Sequence, residues 1–136
     1  MAAVVIVDTN VIIRFLTKTP VDHYQRALSL MEKVSAGEVD LSLSAAVVGE
    51  VAAILHHVFK TPQSQVASIL LTLVNARGVI VEEEDVVRRA LEHSRDLKDV
   101  DFIDAYVATK AQAEDLPVAS FDKSLHKKLG TNVFPL

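Results

Sequence analysis

At 136 residues the chain has room for one domain with a sizeable core and too little for two of ordinary size. A net charge of −4, a pI near 5.7 and aromatics at only 5% with no Trp exclude a general polyanion-binding surface and a base-stacking platform as the main mode of nucleic-acid binding. The absence of Cys excludes disulfides, thiolate zinc sites and cysteine nucleophiles, and fits a reducing compartment.

The chain opens on Val4-Val5-Ile6-Val7, four β-branched residues without alternation, which reads as a central parallel strand covered on both faces. It stops at Asp8-Thr9-Asn10, residues suited to a cap or turn. Asp8 cuts the apolar run too short for a signal peptide or a membrane anchor, so the expectation is a cytoplasmic protein. A short helix is predicted over Val11–Thr17. After Pro20, a second helix carries Val21, Tyr24, Leu28, Met31 and Val34 on one stripe. Val39–Leu43 reads as a second strand. Ser44 caps a helix from Ala45 to about Phe59, with Val47, Val51, Ile54, Leu55 and Val58 inward and Glu50 on or beside that stripe.

Thr61-Pro62 begins the next helix, with Val66, Ile69, Leu70, Leu73 and Val74 inward. Val79-Ile80-Val81 is a third strand, and the acidic run Glu82 to Asp85 starts a helix that suits its positive end. A helix from about Asp101 to Glu114 points Ile103, Val107 and Ala111 inward. Pro117–Phe121 is predicted as a fourth strand ending in Asp122. A short basic helix over Lys123–Leu129 follows, and Val133-Phe134 adds a small edge strand. Strands separated repeatedly by helices imply an α/β fold: a three-layer α/β/α sandwich with a mainly parallel sheet of four to five strands, in a single domain over 1–136.

Asp8 and Asp122 each follow a strand, and in a parallel sheet those positions share one edge. Asp104 lies in the first turn of the helix returning to the fourth strand, and Glu50 in the first two turns of the helix leaving the second. Four carboxylates distant in sequence are thereby expected to converge. Crowded carboxylates repel one another unless a cation sits among them. An all-oxygen donor set favours Mg²⁺ or Mn²⁺ over zinc. Such an ion activates water and neutralises a phosphodiester, which points to a metal-dependent phosphodiesterase.

Val7-Asp8-Thr9-Asn10-Val11, Glu50 in an apolar helix, Asp101-Phe102-Ile103-Asp104-Ala105-Tyr106 and Ser120-Phe121-Asp122-Lys123 together resemble the PIN-domain ribonucleases, especially the VapC-like toxins of toxin–antitoxin pairs. The resemblance spans essentially the whole chain. It implies that Asp8, Glu50, Asp104 and Asp122 are the catalytic, metal-binding acids of an endoribonuclease that leaves a 5′-phosphate and a 3′-hydroxyl. It further implies that Thr9 and Asn10 buttress Asp8, that Ser120 stands where the family often has Thr, and that the protein is a homodimer restrained by an antitoxin whose tail enters the acidic site. A nuclease of RNA processing without an antitoxin, and a non-catalytic PIN-like interaction module, are the alternatives.

Plainer readings compete at several positions. Asp8 and Asp101 are good helix caps, and Asp101 has either a capping or a supporting role beside Asp104. Arg14, Lys18 and Lys123 are candidate RNA-backbone contacts, whereas Lys127 and Lys128 suit a solvated face equally well. His56 and His57 are adjacent, so on a helix they diverge and read as surface or interface residues. Aspartyl-phosphate chemistry is disfavoured, because Asn10 occupies the position two beyond Asp8 where a phosphatase of that type has a second Asp. The four isolated glycines exclude a phosphate-binding glycine loop.

Overall fold

The computed structural model describes residues 2–136. Three strands, β1 (Ala3–Ile6), β2 (Val39–Leu43) and β3 (Val79–Val81), form a parallel sheet in the order β1-β2-β3. Among the described residues seven helices accompany them: α1 (Thr9–Thr17), α2 (Val21–Ser35), α3 (Ala45–His57), α4 (Gln63–Val74), α5 (Glu84–Asp96), α6 (Phe102–Ala113) and α7 (Lys123–Leu129). None of the described helices is long and apolar enough to cross a membrane.

The sheet corrects two expectations. It has three strands, not four to five, because the segment around Val118 pairs elsewhere. Val118 donates its N–H to the Asn132 carbonyl at 2.7 Å and accepts from the Phe134 N–H at 2.9 Å, making one parallel bridge with Val133. Pro117, which has no N–H, is a poor start for a sheet strand. Consequently β2, not β1, is the central strand, and β1 lies at an edge.

Val4 and Ile6 are 64% and 83% exposed, so β1 is not covered on both faces. A run of β-branched residues satisfies an edge strand as well as a central one, since pattern reports propensity and not what lies beside it. The register puts Val4 and Ile6 on the same face as Asp40, Ser42 and Ile80, and this face is only partly covered. Leu41, Leu43 and Val81 point the other way and are buried in the core.

The core joins that sheet face to α3, α4 and α5 through Val48, Val51, Leu55, Val66, Leu70, Val87 and Leu91. In α6 the buried residues are Phe102, Ala105, Ala108 and Thr109, while Ile103 and Val107, predicted inward, are 50% and 42% exposed. The helix is rotated so that its small residues meet the core. At Gly49 a Cβ would stand 2.7 Å from Ile103 Cδ1, so the glycine leaves room for that side chain against α3.

Candidate functional site

Val7 is buried, and its N–H donates to the Ser42 carbonyl at 3.2 Å, so the backbone leading into Asp8 is anchored to β2. Asp8 caps α1 and accepts from the Thr9 N–H through Oδ1 at 2.8 Å. Thr9 is buried and Asp8 exposed, so the carboxylate is held at the surface by a fixed backbone. Asp8 faces a groove of about 310 Å³ that it shares with Asn10, Arg14 and, from α3, Glu50. Ile54, Val58 and Phe59 form its apolar wall.

Glu50 is exposed to this groove, not inserted in the core stripe, which runs instead through Val48, Val51, Ala52 and Leu55. Val58, predicted inward, is 66% exposed. Ser44 caps α3 as expected, accepting from the Val47 N–H at 3.1 Å.

The second group of acids surrounds the start of α6. Asp101 is its N-cap and accepts from the Asp104 N–H at 2.8 Å, the capping role anticipated as one of its two readings. Asp104 is half-buried one turn in. Its carboxyl is held above the usual aspartate range, chiefly by burial and then by the negative charges of Asp101 and Asp122. Asp122 caps α7, its Oδ1 accepting from the Ser124 and Leu125 N–H groups at 2.9 and 3.2 Å. Ser120 Oγ accepts from the Asp122 N–H at 3.0 Å, which places Ser120 in support of that acid.

The four expected acids are therefore brought together as two groups. Asp8 and Glu50 line one groove, while Asp104 feels Asp122 and Asp101. No set of three or more His, Cys, Asp or Glu among the described residues is arranged so that it could hold one metal ion. The donor chemistry fits a hard cation, but a closed cage is not formed. Asp8 leaves an edge strand, and Asp122 follows a segment that is not in the sheet.

Of the expected cations, only Arg14 borders the acidic groove. Lys18 is the left-handed C-cap of α1 and Lys123 the exposed first residue of α7. His56 Nδ1 donates to the Thr61 carbonyl at 2.8 Å, a local tie in keeping with the surface reading of the His pair. Glu83 is exposed at the start of α5, as expected of the acidic run, and also makes side-chain ties. It accepts from Tyr106 Oη at 2.6 Å and pairs with Lys110 at 3.1 Å, tying the start of α5 to α6. The Tyr106 hydroxyl, followed by Lys110, holds the Glu83 carboxyl below its usual range. Sequence reasoning missed Gly49, Phe59 and the α2 residues described below. Only Gly49 carried a signal, a glycine inside an apolar helix beside a candidate acid.

Two variants separate capping from chemistry at α6. Asp101→Asn keeps an oxygen for the Asp104 N–H and is expected to leave stability within about 0.5 kcal/mol. Asp101→Ala removes the cap and costs about 1 kcal/mol. Urea denaturation reads both, and equal stability of the two variants would refute the capping role.

Asp104→Asn tests the electrostatics. An acid whose folded carboxyl titrates above its unfolded value destabilises the fold once pH rises through that range, and costs nothing below the ordinary aspartate range. In EDTA at pH 7 the variant should thus melt higher than the wild type, with the gain vanishing as pH falls below the usual aspartate value. A lower melting temperature at pH 7 would contradict it.

A family model described as the PIN domain matches residues 5–130. No curated protein and no solved structure matches the chain.

Proposed function

The chain belongs to the PIN-domain family, and from that premise we propose that it is a Mg²⁺- or Mn²⁺-dependent endoribonuclease, the toxin of a VapBC-type pair. The family's nuclease-type fold and its general use of divalent metals support the coarse reading. The observation that carries the finer one is the groove in which Asp8 and Glu50, far apart in sequence, face one space bordered by a guanidinium.

In this reading Asp8 and Glu50 would hold the ion from one groove, and Asp104 and Asp122 are the further acids that the family resemblance assigns to it. When bound, the ion supplies Lewis-acid activation of water and neutralises charge on the phosphodiester. The chain's own residues do the positioning. The Thr9 N–H occupies Oδ1 of Asp8 and fixes that carboxylate; the backbone N–H groups of α7 do the same for Asp122. Arg14, at the groove's border, takes a phosphate oxygen of the substrate. Ile54, Val58 and Phe59 restrict water on one wall.

The exposed apolar surface of Val58 and Phe59 also suits a partner chain lying over the acidic groove, as an antitoxin tail would. A homodimer and an antitoxin are accordingly part of the proposal. The division of the acids into two groups favours a second reading, a PIN-like interaction module without catalysis. One experiment separates the two: purified protein on mixed-sequence single-stranded RNA with Mg²⁺, Mn²⁺ or EDTA, and with Asp8→Asn. Metal-dependent products carrying 5′-phosphates support the nuclease; no cleavage under any condition supports the module.

A further inference from the structure

The groove that holds Asp8 and Glu50 does not end at Asn10. Asn10 and Arg14, neighbours one turn apart on α1, also line a second cavity of about 400 Å³ between α1 and α2. From α2, His23 and Arg26 face the same space, over a floor that includes Val11, Ala27 and Leu30. No acid lines this cleft, although the chain as a whole carries a net charge of −4.

Its guanidinium groups are not committed elsewhere. The ion pairs among the described residues involve Arg88, Arg95 and Lys110, on α5 and α6. Arg14 reaches only the Thr19 carbonyl, at 3.4 Å, and neither it nor Arg26 pairs with a carboxylate. A cleft with two unpaired guanidinium groups and an imidazole is built for an anion. The planar fork of Arg matches phosphate oxygens in particular.

We propose that the α1–α2 cleft binds the phosphate backbone of the RNA strand whose scissile bond lies in the Asp8–Glu50 groove, with Arg14 at the junction and Arg26 as the next phosphate contact. The proposal rests on the nuclease reading for its choice of RNA. Continuity carries it: Asn10 and Arg14 belong to both spaces, so one strand can run from the acidic groove into the basic cleft without leaving the surface. No Phe, Tyr or Trp lines the cleft, so bases have no platform to stack upon. The contact is therefore electrostatic, steeply salt-dependent and indifferent to base identity. His23 adds a third donor, and the apolar floor accommodates ribose.

The test is fluorescence anisotropy with a labelled mixed-sequence single-stranded RNA in EDTA, which reads binding without cleavage. Arg26→Gln should weaken binding on the order of five- to tenfold at low salt, and should reduce the slope of log K against log salt by about 0.7. Arg26→Lys should retain part of the affinity. Arg89→Gln, on α5, changes net charge equally and should bind like the wild type. Arg26 is exposed, so its variants are expected to fold, and circular dichroism checks that.

Equal affinity and salt slope for Arg26→Gln and Arg89→Gln would overturn the proposal. So would an Arg26→Gln variant that keeps RNA binding and loses binding of poly-glutamate, which would assign the cleft to an acidic protein segment. The two readings fail separately. Arg26-dependent RNA binding with no metal-dependent cleavage removes the nuclease and keeps the cleft, whereas Asp8-dependent cleavage by a fully active Arg26→Gln enzyme removes the cleft and keeps the nuclease.

Discussion

Asp8→Asn is expected to lower RNA cleavage by roughly 10²–10³-fold, because a metal at a phosphodiester supplies several kcal/mol of transition-state stabilisation and the substitution removes a charged ligand. The structure makes this a clean substitution. Asp8 accepts from the Thr9 N–H through one oxygen, and the Asn side chain keeps an oxygen for the same bond. Asp8 is exposed, so no buried contact changes with it. Stability should stay within about 0.5 kcal/mol of the wild type, and a loss of rate then reports the charge alone.

The measurement is a single-turnover rate on mixed-sequence single-stranded RNA in Mn²⁺, repeated in EDTA. Cleavage that survives both EDTA and the substitution would refute metal chemistry at this groove. A second readout needs no turnover. A metal held by Asp8 and Glu50 would bind the folded state only, so millimolar Mn²⁺ should raise the melting temperature, and less so for Asp8→Asn.

How far the sequence reached depends on what each feature needs in order to be seen. The bounds of β2, β3 and α7 were legible because each is closed by its own local chemistry, such as Ser44 capping α3 directly after β2 and Asp122 capping α7. The sequence pointed to Asp8, Glu50, Asp104 and Asp122 converging at one sheet edge, an expectation drawn from where helices begin relative to strands; the structure sets Asp8 with Glu50 and Asp104 with Asp101 and Asp122.

The pairing of residues 117–121 was not legible, since Val118 gives its backbone groups to Asn132 and Phe134 and not to the sheet. The rotation of α6 was hidden for a different reason. Apolar periodicity rewards the large residues Ile103 and Val107, whereas the residues that α6 buries are Phe102 and the small Ala105, Ala108 and Thr109. Of the basic cleft only Arg14 was legible: Arg26 on a predicted helix looks like any solvated charge until α1 is set beside α2.

The largest expected effect on stability is at Leu91. It is fully buried on α5, the helix that touches both α4 and α6, and shares its inner stripe with Val87, Ala90 and Ser94. The close-packed surroundings of such a residue relax only partly when its side chain is deleted. Leu91→Ala therefore removes the transfer free energy of the lost carbons and leaves most of the cavity standing. A cost of about 3–5 kcal/mol is expected, the upper part of the range for buried leucines. This corresponds to a fall in melting temperature of roughly 10 °C or more for a chain of this size.

Phe121→Ala provides the contrast. Phe121 carries a larger apolar side chain but is 90% exposed, so its removal should change stability by no more than about 0.5 kcal/mol. Urea denaturation of both variants, with unchanged m values, checks the pair. Equal losses at the two positions, or a loss below about 1.5 kcal/mol for Leu91→Ala, would show that α5 is not the keystone between α4 and α6. Burial, not hydrophobicity as read from the chain, then decides which apolar residues hold the acids' scaffold in place.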